Sequence, residues 1–208
     1  MAGCGASSTT ADTSYSAENP LVLTLAHGLS ETHTVHIAMT QFAEEVNEKT
    51  DGRVQVKIFP NGQLGSENEN LEQLQAGVIA MTKVSAPGLA TYNDAFNTFG
   101  LPYIFNDTDD FYHVMDSQEM QDFFLSTGDD GFVTLTYYTS GARSFYTKDR
   151  AIRTPADLKG LKIRVQDMKS QTDMMSYLAA FPSPCPTVTF TPRCRPASLT
   201  APRTTRPP

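Results

Sequence analysis

No stretch of this chain approaches the ~20 consecutive apolar residues of a membrane-spanning helix, so nothing in it crosses a bilayer in that form. It contains no GxSxG, no P-loop, no GxGxxG and no CxxC, and so lacks the common signatures of nucleophile elbows, phosphate cradles, dinucleotide sites and dithiol redox centres. The only cysteines are Cys4, Cys185 and Cys194, which define neither a disulfide framework nor a metal-ligand spacing. Basic residues are scarce in the body: Met1 to Ala180 carries all 23 acidic residues against 12 basic ones, a poor surface for a phosphate backbone. The nearest approach to a metal pair is His33 with His36. Their i, i+3 spacing and the lack of a following Glu point to capping or solvated histidines, and no metal or cofactor is expected.

What remains is enough for a core: 39% of the 208 residues are hydrophobic, and they are patterned. LVLTLA, from Leu21, reads as a buried strand. HTVHIAMTQFAEEVNEKTDG reads as a helix with Val35, Met39, Phe42 and Val46 on one face, ended by Asp51-Gly52. RVQVKIF is a second strand, stopped at Pro60-Asn61-Gly62, which completes a β-α-β unit. Ser66 with Glu69 forms a capping-box pattern opening the helix SENENLEQLQAG, and VIAMTKV follows as a third strand. Beyond the loop GLPYIFND, DTDDFYHVMDSQEMQDFFLSTG predicts one helix, and FVTLTYYTSGARSFYT predicts two short strands about a Ser140-Gly141 turn. Thr154-Pro155 starts the brief helix TPADLKG, LKIRV is a strand, and SQTDMMSYLAA starts a last helix. Alternating strands and helices imply an α/β fold with largely parallel pairing, and the chain is expected to cross between lobes near Tyr137 to Ser140.

Two cations stand out. Arg143 in SGARSFYT and Arg164 in LKIRV lie in or beside predicted strands, where a long cation is costly to bury unless an anion meets it. The planar guanidinium matches a carboxylate through two parallel hydrogen bonds. Two such forks at strand ends beside a crevice suit an organic acid; the alternative for each is an internal Asp partner.

The ordered series LTLAHGLSETHTVHIAMTQFAEEVNEKTDGRVQVKIFPNGQLGSENENLEQLQAG, FGLPYIF, SGARSFYT and TPADLKGLKIRV resembles the solute-binding proteins of tripartite ATP-independent periplasmic (TRAP) transporters, over about Leu21 to Ala180. The resemblance implies a periplasmic-binding-protein-like, two-lobed α/β fold with mixed, largely parallel sheets. A non-enzymatic protein would close on a C4-dicarboxylate, another organic acid or a sugar acid and hand it to a membrane permease. It puts the carboxylate-gripping arginine at Arg164 and a second anchor at Arg143. Further candidates are His27 at the end of the first strand, Glu67 after GQLG and Ser85 after the third strand, against blander roles as a loop histidine, a first-turn helix acid and a turn residue. The family often has an acidic residue near Ser85, a departure that leaves the ligand open. MAGCGASSTTADTSYSAENP is similar to a bacterial lipobox followed by a Ser/Thr-rich linker, which implies lipidation at Cys4 and a place in the periplasm or on the outer face of the membrane. The apolar signal region that should precede Cys4 is missing.

The organisation that follows is residues 1–20 as lipobox-like start and linker, 21–137 as first lobe, 138–180 as the start of an incomplete second lobe, and 181–208 as a tail. Eight of the 28 tail residues are proline, four are arginine and none is acidic, the composition of a disordered arm or, in a rival reading, of a basic interaction segment on an intact small surface protein. A different reading comes from codons. Synonymous codons chosen for Ser183 onward and read from the third base spell PMPYGDVYTAMQAGVIDGAENNP, the motif that continues the family after this point. The tail is thereby expected to be an out-of-frame translation, with the frame change close to Ala180-Phe181, and the chain a truncated, weakly or non-binding form.

Overall fold

The computed structural model describes residues 15–139, 141–148 and 150–184. Three parallel strands form the first sheet: β1 (Leu21–Ala26) lies between β2 (Val54–Phe59) and β3 (Met81–Thr82), in the order β2-β1-β3. Leu21 stands opposite Val54 and Leu25 opposite both Ile58 and Met81. The expected β-α-β unit is present, with α1 (Thr34–Lys49) connecting β1 to β2. The expected capping box opens α2 (Glu67–Gln75), where Ser66 Oγ accepts from the Glu69 N–H and the Glu69 carboxylate accepts from the Ser66 N–H. Because crossovers between parallel strands are right-handed and β2 and β3 flank β1 on opposite sides, α1 and α2 cover opposite faces of the sheet.

The chain then runs through a short α3 (Ala86–Leu89), a 3-10 segment (Asp94–Gly100), and α4 (Thr108–Met115) and α5 (Gln118–Ser126). One helix was expected over the last two. The break follows from capping: Asp116 closes α4, and the Ser117 side chain accepts from the Met120 N–H to start a new helix. Leu71, Leu89, Phe96 and Phe132 form the core of this first unit.

The second unit is smaller. β4 (Lys162–Val165) pairs in parallel with β5 (Phe181–Pro184), and α6 (Lys169–Tyr177) connects them. Its separate core is Leu158, Ile163, Val165, Met175 and Ala180. Regular structure therefore passes the expected tail boundary by at least four residues: Phe181–Pro184 pairs with β4, and it tolerates Pro182 and Pro184 because their missing N–H groups face away from that ladder. Residues 185–208, Cys4 and the Ser140 side of the expected turn lie outside the described residues.

Two strand expectations are corrected. VIAMTKV contributes only the two ladder residues of β3, and among the described residues FVTLTYYTSGARSFYT forms no ladder at all. An alternating pattern makes a strand only when a partner edge is present to take its N–H and C=O groups. The units touch where Asp94–Gly100 packs on the β4-α6 junction: a Cβ on Gly100 would lie 2.6 Å from Ser170 Oγ and 2.7 Å from Met168 Sδ, so a larger residue there requires those side chains to shift.

Candidate functional site

The carboxyl end of the first sheet gathers His27, which follows β1, Glu67 in the first turn of α2, and Lys83 and Ser85, which follow β3. Open parallel sheets bind ligands at this end. Glu67 is the hub. Its Oε2 accepts from Ser85 Oγ at 2.5 Å and from the Ser85 N–H at 3.2 Å, while its Oε1 meets Lys83 Nζ at 3.3 Å. The Glu67 and Lys83 side chains are only 12% and 18% exposed, so the pair is well shielded from solvent. Lys83 was missed in the sequence; a lone lysine closing the otherwise apolar run VIAMT was the signal that a partner acid awaited it.

His27 is fully buried, so it lines no open surface; the loop-histidine alternative describes its geometry better than a direct ligand contact. Its Nδ1 accepts from the Leu29 N–H at 3.1 Å, which leaves the proton on Nε2 to be donated to His36 Nδ1 at 3.0 Å. His36 then directs Nε2 at Thr40 Oγ1, 3.5 Å away, and Thr40 donates to the His36 carbonyl. With Nδ1 accepting and Nε2 donating, the His27 ring is neutral. Burial first, then the charges of His36, Lys83 and His33, lower the His27 pKa to about 4. His33 instead caps α1, accepting the Val35 N–H on Nδ1.

The two arginines come together in the second unit. Arg164 sits in β4, and Arg143 lies two residues after Gly141, whose positive φ of 72° turns the connecting segment. Arg143 is exposed as a residue, yet burial of its charged end is the first cause of a lowered pKa, and the charge of Arg164 is the second. Two like charges are thus held within mutual range without an ion pair between Arg143 and any described carboxylate. Among the described residues, no Asp forms an ion pair with Arg143.

Parallel sheets in two α/β units, with polar groups at the strand ends, define a periplasmic-binding-protein-like architecture. Residues 25–189 match the family described as bacterial extracellular solute-binding protein, family 7, and the chain belongs to that family, the solute-binding proteins of TRAP transporters. The chain is 36% identical over 170 residues to YiiZ of Salmonella typhimurium, covering 81% of this chain and 52% of that protein. A TRAP solute-binding protein from Anaerococcus prevotii, solved with bound D-glucuronate, superposes with a TM-score of 0.74 at 36% identity, covering 79% of this chain and 54% of that one. Another from Sulfitobacter, solved with bound β-D-galacturonate, gives a TM-score of 0.73 at 31% identity, with 79% and 55% covered. The chain spans about half the length of the relatives it matches.

Proposed function

We propose that this chain is the carboxylate-recognising portion of an extracytoplasmic solute-binding protein for a sugar acid, which delivers its ligand to a TRAP permease. The observation that carries this reading is the convergence of Arg143 and Arg164. A protein that desolvates one guanidinium beside another pays for it in the empty state and is repaid when an anion arrives. Glu67, Lys83 and Ser85 supply the donors and acceptors that hydroxyl groups of a sugar acid would use, with His27 bracing the β1 end from beneath. The uronates held by the Anaerococcus and Sulfitobacter relatives fit such a set, one carboxylate among several hydroxyls. A lipid anchor at Cys4 would keep the protein at the membrane.

The test is an NMR titration of the 208-residue chain with D-glucuronate and, separately, with D-glucose. Weak but saturable shifts, in keeping with a truncated form, are expected with the acid alone, disappearing in both Arg143→Ala and Arg164→Ala. Equal responses to acid and neutral sugar, or responses that survive both substitutions, would overturn the assignment.

A further inference from the structure

The overall excess of acid conceals a segregation of charge. Residues 84–142, which follow β3 and include α3, α4 and α5, hold nine acidic residues and no Lys or Arg. Residues 148–162 hold five basic residues and two acidic ones. The five cations, Lys148, Arg150, Arg153, Lys159 and Lys162, are all exposed, and among the described residues none of them forms an ion pair. Local structure gathers them on one face of the second unit. Arg150 donates to the Asp157 carbonyl, Arg153 precedes the 3-10 turn Pro155–Leu158, Lys159 closes that turn and Lys162 opens β4. Asp157, the described acid in their midst, turns its carboxylate to the turn itself: it accepts from the Arg153 and Thr154 N–H groups at 3.0 and 2.8 Å and from Thr154 Oγ1 at 3.0 Å. Asp149, the other acid, lies outside the described residues. The Gly160 N–H donates to the Ala179 carbonyl at 2.8 Å, which fastens this surface to the amino end of the β4-β5 sheet. Parallel sheets take their ligands at the carboxyl ends of the strands, so the cations occupy the end of β4 away from the binding side.

We propose that this face of the second unit is a docking surface for an anionic phospholipid bilayer, which orients the chain with its acidic first unit turned away from the membrane. The family is described as extracellular, and the extended anionic surface that such a protein faces is the headgroup layer. As a point charge of -7 the whole chain would be repelled there. The Debye length in physiological salt is only ~8 Å, much shorter than a protein of this size, so the nearest face outweighs the distant acids. Each Lys or Arg close to an anionic headgroup layer strengthens binding about fivefold, and the cluster is therefore enough for reversible docking. The inference uses neither Arg143 nor Arg164 and stands independently of the sugar-acid reading.

Co-sedimentation of the 208-residue chain with vesicles tests it, using equal parts of phosphatidylglycerol and phosphatidylcholine against phosphatidylcholine alone. The chain should bind the anionic vesicles at about 10 mM salt, leave them at about 1 M, and ignore the neutral ones at both. Lys159→Gln combined with Lys162→Gln should weaken binding about 25-fold, with the circular dichroism and the response to D-glucuronate unchanged. Lys148→Gln combined with Arg153→Gln should do the same. Gln at Arg193, Arg195, Arg203 and Arg206 serves as the control for the basic residues beyond Pro184, and most of the binding should survive it. No binding, equal binding to both vesicle compositions, or binding indifferent to salt overturns the proposal. So does binding that survives both double substitutions, or that is abolished by the control.

Discussion

Ser85 Oγ and Glu67 Oε2 lie 2.5 Å apart, and the Ser85 N–H reaches the same oxygen, so one carboxylate fastens the start of α2 to the chain leaving β3. Lys83 on the other oxygen completes a shielded, charge-assisted cluster. Glu67→Gln leaves Lys83 partly buried without its counter-charge, and should lower unfolding stability by about 2 kcal/mol. Ser85→Ala removes only a neutral donor and should cost about 1 kcal/mol. Urea denaturation of both variants checks the order; equal, negligible losses would show the cluster to be incidental.

Stability should also depend on pH through His27. Its ordinary pKa of 6.5 is lowered to about 4, by burial first and then by the charges of His36, Lys83 and His33. The unfolded chain therefore takes a proton that the folded chain refuses, and stability is full above pH 6.5 and falls as the pH drops through that window. The complete shift, from 6.5 to about 4, corresponds to roughly 3 kcal/mol as an upper figure. Glu45, Glu69 and Asp157 have pKa values lowered from 4.5, 4.5 and 3.8, so their contributions vanish at lower pH. Chemical denaturation between pH 4.5 and 6.5 isolates the histidine, and a flat profile there contradicts the buried neutral ring.

Arg143 and Arg164 carry a prediction of opposite sign for stability and for binding. Arg143→Ala relieves a partly desolvated charge next to a like charge, so the melting temperature of the ligand-free chain should hold or rise. The response to D-glucuronate should be lost in the same variant. Thermal melts with and without the acid read both effects, and a variant that melts lower yet still responds would assign Arg143 to packing.

Gly100 marks the contact between the two units. Alanine there places a methyl group 2.6 to 2.8 Å from Ser170 Oγ and from Met168 Sδ and Cε, so these side chains or the 3-10 segment must shift. The cost should be about 1–3 kcal/mol. Hydrogen exchange should accelerate together in Asp94–Gly100 and in α6; acceleration in one alone would mean that the contact does not couple the units.

Where the signal was local, the sequence was legible. Val35, Met39 and Val46 at helical spacing marked α1, and Ser66 with Glu69 marked the start of α2 through two reciprocal hydrogen bonds. The split between α4 and α5 was missed because apolar periodicity continues across Asp116-Ser117 and only the cap interrupts it. Arg143 and Arg164 were legible as costly cations, and Glu67 and Ser85 as strand-end polar residues. That Glu67 is already held by Ser85 and Lys83 was not visible, since those groups are brought together by α2 and β3 from positions 16 and 18 residues away.

The amino-acid sequence by itself determined the α/β class, the family and the order of the elements, because these rest on periodicity, caps and turns that act within a few residues. The tertiary structure alone decided that His27 is buried against His36, that two guanidinium groups share a region, and that among the described residues Phe132 to Tyr138 joins no ladder. Ladder pairing, desolvation and charge proximity are properties of groups distant in the chain, and no local pattern encodes which of them will meet.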